Sequence, residues 1–274
     1  MRLALSEIST VNASFVEDVT AYTAAGFEAI GIWEMKLPDD DAANVALLRD
    51  AGIAVANCVP TVPSILPLRL PGMEGPPEVE ERVAALCASI RRLATYEPES
   101  VLVITGPVGD RDPAEARRLV VEGLHVVAAA AREAGVRLGL EPIHPGQDEG
   151  VSFVHTVADA VTLLSEADLD NVGVMVDTYN LWHEDPAAIA AIADRVTGLH
   201  VADEPSEPGV EGRALPGEGG TRSLEIVRAL REAGWDGSLD VEIFSTPDGF
   251  WGLAPEEAAR RAYAAASALA QTVP

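Results

Sequence analysis

Val136–Glu141 (VRLGLE), Val172–Asp177 (VGVMVD), Val196–His200 (VTGLH) and Ser238–Glu242 (SLDVE) are short apolar runs, each closing on a Glu, Asp or His. Runs of this length between turn residues read as buried β-strands. In a parallel barrel every strand opens its carboxyl end on one face, so Glu141, Asp177, His200 and Glu242 would converge there. Three carboxylates brought together without a cation repel one another. Taken singly, each residue has an ordinary alternative as a surface salt bridge or helix cap. Four at equivalent places on successive strands argue for a shared site.

Outward from these runs, the chain repeats one junction. A helix-like segment ends in Ala-Gly and an apolar strand follows, at Ala25-Gly26, Ala51-Gly52, Ala134-Gly135 and Ala233-Gly234. Glycine after a last helical turn supplies the left-handed capping residue. Alternation of this kind implies a parallel sheet. Strands are predicted near 2–7, 29–33, 53–58, 101–105, 136–141, 172–177, 196–201 and 238–244. Helices are predicted near 13–25, 40–51, 78–95, 113–134, 156–166, 186–194, 222–233 and 255–271. Asp112 and Pro113 mark one helix start, and Pro255 followed by two glutamates marks another. Eight strand–helix units make an α/β fold, a single (β/α)8 TIM barrel over 1–274, with an open doubly wound sheet as the alternative. No GxGxxG follows the first strand, which leaves a dinucleotide fold without support.

Bulk properties narrow the chemistry. The chain has 274 residues, 48% of them apolar, enough for one large core. Its net charge of −25, from 19 basic and 44 acidic residues, argues against a nucleic-acid partner, which needs a Lys/Arg footprint. Cys58 and Cys87 sit in no zinc-like spacing and read as buried thiols, which suits a reducing cytoplasm. The start, MRLALSEISTVN, does not read as a signal peptide, and no long charge-free apolar stretch predicts a membrane span.

One nitrogen and three carboxylate donors suit a divalent metal ion. The oxygen count favours Mn²⁺ or Mg²⁺, and Co²⁺ and Zn²⁺ are compatible. Such an ion could grip two oxygens of a hydroxy-carbonyl compound and polarise its carbonyl. Glu141 and Glu242 could then move a proton on and off carbon through an enediolate. His144 would face the cleft from the end of its strand, Trp33 would wall it, and Trp251 would cover it. Arg213, beside Pro216–Gly219, could hold an anionic or polyhydroxy group; this glycine-rich piece lacks the Lys-Ser/Thr ending of a P-loop. Asp203, three residues after His200, is a candidate to orient the imidazole. His125 and His155 read as structural. Two long connections, Pro60–Pro77 and Asp203–Gly220, would lie on the same face, where long loops are usually functional.

The segments GLEPIHP (139–145), VDTYNLWHEDP (176–186), LHVADEP (199–205), RALPGEGG (213–220) and DGSLDVEIFS (236–245) resemble, in order, the xylose-isomerase-like superfamily of sugar phosphate isomerases and epimerases. The N-terminal half resembles it only in layout, including GIWE at 31–34. The resemblance implies a divalent-metal TIM barrel with Glu141, Asp177, His200 and Glu242 as ligands and the two glutamates as the acid/base pair. It implies a small carbohydrate substrate and admits a homo-oligomer, since members are often dimers or tetramers. There are departures. Many relatives carry a substrate-contacting His three residues after the metal Asp, where this chain has Asn180; His183 lies a helical turn further on. The family's ketose 3-epimerases usually carry an Arg soon after the metal His, and here the candidate is the more distant Arg213.

The leading expectation is therefore a metal-dependent sugar isomerase or epimerase on a keto-sugar or related polyol. The lack of a clear basic pocket favours an unphosphorylated one. A lyase on the same scaffold, a dehydratase or a C-glycoside-cleaving subunit, is the alternative that Asn180 motivates. A DNA-repair endonuclease of the superfamily fits the acidic chain and its five histidines poorly. A non-catalytic binding subunit is the fourth reading.

Overall fold

Helix boundaries follow local chemistry. Asp112 accepts from the backbone N–H of Ala114 and Glu115, Pro113 takes the first helical position, and Gly135 closes the helix at φ 75°. At the shorter first helix, Ser14 and Glu17 form a reciprocal capping box and Gly26 closes it at φ 107°. The glycines of the other two Ala-Gly junctions are left-handed as well.

The computed structural model describes residues 1–70, 73–147, 149–206 and 211–273. Eight parallel strands close into a barrel in chain order: β1 (Leu3–Ser6), β2 (Ala29–Trp33), β3 (Ala54–Val59), β4 (Ser100–Val103), β5 (Leu138–Leu140), β6 (Val172–Asp177), β7 (Val196–Val201) and β8 (Leu239–Val241). The seam is sealed by β8 pairing with β1, which excludes the open sheet. The helices are α1 (Phe15–Ala25), α2 (Asp41–Ala51), α3 (Val79–Leu93), α4 (Pro113–Ala134), α5 (Val157–Glu166), α6 (Pro186–Ala190), α7 (Ser223–Glu232) and α8 (Pro255–Gln271). The main apolar core lies between barrel and helices, and both cysteines are buried and free. Among the described residues, no helix is long and apolar enough to cross a membrane.

Several expected boundaries shift. β5 and β8 stop one residue short of their glutamates, yet Glu141 N–H still donates to Val103 O (3.0 Å) and Glu242 N–H to Val201 O (3.2 Å). Both side chains are thus held at the strand tips. The helix expected over 186–194 ends at Ala190, and a 3₁₀ turn at Ala193–Arg195 feeds straight into β7. Glu7, expected in the first strand, opens a 3₁₀ turn, Glu7–Thr10.

The inside of the barrel is partly polar. Ser100 Oγ donates to Asn57 Oδ1 (2.9 Å), and Asn57 Nδ2 donates to Asp240 Oδ2 (3.4 Å). Gly31 makes room: a Cβ there would lie 2.2 Å from the Asp240 carboxylate. The proline-rich connection after β3 is pinned from below. The buried Arg82 of α3 donates to Ser64 O (3.1 Å), to Pro76 O (2.9 Å) and to Glu74 O. Fixed in this way, the described part of the loop lies over the carboxyl ends of β3 and β4, with Ser64 bridged to Ile104.

Candidate metal and substrate site

Glu141, Asp177 and His200 each present a ligand atom within 4.8 Å of the other two, and all three are buried. Glu242 adjoins them, with Oε2 3.5 Å from His200 Nδ1; Glu141 Oε1 lies 3.7 Å from the same nitrogen. The four expected residues therefore meet at one end of the barrel. Period-2 alternation directs this, since the last inward-facing residue of each strand points at the axis.

The charges are unbalanced without an ion. Burial lifts the Glu141 carboxyl to about 7, although His200 pulls the other way. Burial works against the His200 imidazolium too, but Glu242, Glu141 and Asp240 together outweigh it and raise the group to about 10. Among the described residues, neither ring nitrogen of His200 has a hydrogen-bond partner, despite full burial. A buried unpaired imidazole among carboxylates is costly alone and suits a cation ligand. The donor set fits a divalent metal ion.

Arg213 reaches the same cluster from the connection after β7. Its guanidinium lies 4.6 Å from the Tyr179 ring centroid and 4.7 Å from that of Phe244. It bonds Glu242 Oε2 at 2.8 Å and Asp177 Oδ2 at 3.0 Å. Burial opposes its charge, but Asp177 and Glu242 more than compensate and hold it cationic. Arg213 thereby ties Glu242 to Asp177, a member of the trio. Asn180 donates to Asp177 Oδ2 (2.8 Å) and, more weakly, to Glu141 Oε1 (3.4 Å); its own carbonyl accepts from His144 N–H (3.2 Å).

A cavity of about 310 Å³ opens beside these groups, and Glu141, Asn180, Arg213, Glu242 and Trp33 line it. Trp33 meets Phe244 edge-on, with ring centroids 5.7 Å apart. Trp251 sits behind Phe244 and donates from Nε1 to Ile8 O (2.7 Å), so it backs the wall. His144, Trp182 and His183 form a separate ring cluster outside the cavity lining; His144 stacks on Trp182 at 6.0 Å and meets His183 edge-on at 5.7 Å. Burial and the neighbouring His183 lower the basicity of His144.

Asp203 does not serve His200, contrary to the expectation from spacing. Its carboxylate is taken by Gly217 N–H (2.8 Å), Gly219 N–H (3.2 Å) and the Thr221 hydroxyl, and it ties the two ends of its own loop together. Positions 207–210 of that loop, and 71–72 of the proline-rich one, lie outside the described residues. The carboxylate facing His200 from behind is Asp240, with Oδ2 3.9 Å from Nε2. Its signal in the sequence is alternation, which places Asp240 of β8 on the same face as Glu242 at the strand's tip. Tyr179 and Phe244, the aromatic partners of Arg213, were missed.

A closed parallel barrel with a buried carboxylate–imidazole cluster at the carboxyl ends of its strands is a candidate metal-enzyme scaffold. The family model described as xylose isomerase-like TIM barrel matches residues 19–269, and the chain belongs to that family. A putative hydroxypyruvate isomerase of Streptomyces coelicolor is 26% identical over 256 residues, covering 83% of this chain and 84% of that protein. A D-psicose 3-epimerase of Enterocloster bolteae is 28% identical over 155 residues; that match covers 56% of this chain and only 46% of the epimerase. Among solved structures, the IOLI protein with a binding zinc atom superposes with a TM-score of 0.82 at 18% identity, covering 100% of this chain and 99% of that one. At such identity the likeness is one of fold.

Proposed function

We propose that this chain, read as one domain over 1–274 and acting in the cytoplasm, is a divalent-metal-dependent isomerase or epimerase of a keto-sugar or related polyol. The observation that carries the reading is the convergence of Glu141, Asp177, His200 and Glu242 on one cavity. The names of the relatives, an isomerase of hydroxypyruvate and an epimerase of a ketose, favour a small hydroxy-carbonyl substrate.

Glu141, Asp177 and His200, with Glu242 adjoining, would hold the ion, Mn²⁺ or Mg²⁺ by oxygen count. Bound there, it would supply Lewis-acid polarisation of the carbonyl. The rest falls to the side chains. Glu141, at the tip of β5 on the cavity wall, stands where a carboxylate can take a proton from a bound carbon acid and return it. Glu242 faces the same cavity and is its partner; between them a proton leaves carbon, an enediolate forms, and a proton returns. Arg213, held flat between two rings, steadies Glu242 and offers donors to substrate oxygens. Asn180 fixes the Asp177 and Glu141 carboxylates; Trp33 forms the wall, and Trp251 backs it. His144 adjoins the site through its N–H bond to Asn180, and His183 packs against it.

The test is solvent deuterium incorporation into a panel of ketoses by the Mn²⁺-loaded protein, followed by NMR. Exchange at a carbon next to the carbonyl is expected, and Glu242→Gln should slow it by about 100-fold or more. No exchange across the panel with metal bound would overturn the reading. A lyase is favoured by one observation, that Asn180 cannot shuttle a proton. It would show as loss of water or of a substituent by mass spectrometry.

A further inference from the structure

The cavity has two unlike halves. Its polar groups, Glu141, Asn180, Arg213 and Glu242, come from the ends of β5 and β8 and the connections after β6 and β7. The opposite wall is built from Trp33, Val59, Leu68, Leu102, Ile104 and Ile143, which pack as a cluster of their own. That wall offers no donors or acceptors from its side chains. The Trp33 indole N–H is turned away and bonded to Ser6 Oγ (3.0 Å). The hydroxyls behind it are occupied: Thr105 with Ser152 at 2.9 Å, and Ser64 with Leu66 O at 2.7 Å. Leu68 comes from the loop that Arg82 anchors, so the wall is supported from below.

Beside a compound with an apolar tail, a free polyol fits this surface less well. It carries a hydroxyl on nearly every carbon, and each hydroxyl pressed unpaired against an apolar wall loses roughly 10-fold in affinity. An apolar ring in the same place gains on the order of 10- to 100-fold from burial. Space permits it, since about 150 Å³ of apolar cavity accommodates a benzene, and this cavity has about 310 Å³ for ring and polar head together.

Resting on the isomerase reading above and narrowing its substrate, we propose that the preferred compound is a keto-sugar or simpler hydroxy-ketone that carries an apolar, benzene-sized substituent beyond its reacting carbons. The hydroxy-carbonyl head meets Glu141 and Glu242, and the substituent lies on the wall formed by Trp33, Leu68 and Ile104.

The test compares hydroxyacetone, 1-hydroxy-3-phenylpropan-2-one, its cyclohexyl analogue and D-fructose on the Mn²⁺-loaded full chain by calorimetry, with deuterium exchange measured in parallel. The phenyl ketone should bind at least about 10-fold more tightly than hydroxyacetone and than D-fructose. Leu68→Asn should reduce that preference toward unity, and Leu68→Met should keep it. The cyclohexyl arm separates a ring-shaped wall from an aromatic one; tighter binding than hydroxyacetone by either ring compound supports the proposal. Equal binding of all four, tighter binding of D-fructose, or no binding of either ring compound would overturn it. Ring preference without deuterium exchange would uphold the wall and defeat the isomerase reading. Exchange without ring preference would do the reverse.

Discussion

Nε2 of His200 faces Oδ2 of Asp240 across 3.9 Å inside the barrel, while Nδ1 of the same ring faces the Glu141 and Glu242 carboxylates. A histidine that ligates through one nitrogen is normally oriented through the other by a carboxylate or carbonyl. Burial lifts Asp240 to about 7, with His200 opposing. Asp240→Asn keeps the volume that Gly31 makes room for and removes the charge. Calorimetric titration should show Mn²⁺ binding weakened by about 10-fold, with the circular-dichroism spectrum unchanged. Unaltered affinity would remove Asp240 from any role in orienting the ligand.

Arg213 neutralises Asp177 and Glu242 when no ion is bound. Its replacement by Met leaves two buried carboxylates without their partner, a loss of about 3–5 kcal/mol. In EDTA, Arg213→Met should therefore melt on the order of 10 °C below the parent chain. Mn²⁺ should recover most of the deficit and bind the variant more tightly, because a competing cation has gone. A melting temperature in EDTA equal to that of the parent would contradict the pairing.

The metal-free protein should lose stability as pH rises. Glu141 moves from 4.5 to about 7 on folding, and His200 from 6.5 to about 10. Both folded values lie above the unfolded ones, so the folded chain holds protons that the unfolded chain has released. Their contribution is complete below the unfolded values and is lost as pH climbs through about 7 and then about 10. Differential scanning calorimetry in EDTA should show a falling melting temperature across that window. The rise in melting temperature caused by Mn²⁺ should grow over the same range, since ligands bind metal deprotonated. A metal-free melting temperature that increases with pH would contradict this assignment.

Much of the fold was legible because its signals are local. The Ala-Gly caps at Gly26, Gly52, Gly135 and Gly234 and the Asp112–Pro113 helix start need only neighbouring residues to act. The convergence of Glu141, Asp177, His200 and Glu242 was legible for a related reason: strand alternation and a shared barrel face turn four separate short motifs into one place. Asp203 misled because three residues along the chain look close. The backbone leaves the barrel after β7, and the carboxylate closes a loop against Gly217 and Gly219 instead. Asp240 was within reach, two residues before Glu242 and so on the same face. The apolar wall was not. Leu68 lies in a proline-rich stretch without periodicity, and its meeting with Trp33, Leu102 and Ile104 depends on how four elements and an anchored loop come together in space.

Because the side chains proposed to react come from β5 to β8 and their connections, and the apolar wall chiefly from β2 to β5 with the loop pinned by Arg82, the two proposed jobs sit in different stretches of the gene. On the proposed roles, changes in the first half of the chain can alter which compound is welcomed while Glu141 and Glu242 stay untouched. That partition gives this barrel a simple route to new substrates, and it marks the Arg82-anchored loop as the place to begin redesign.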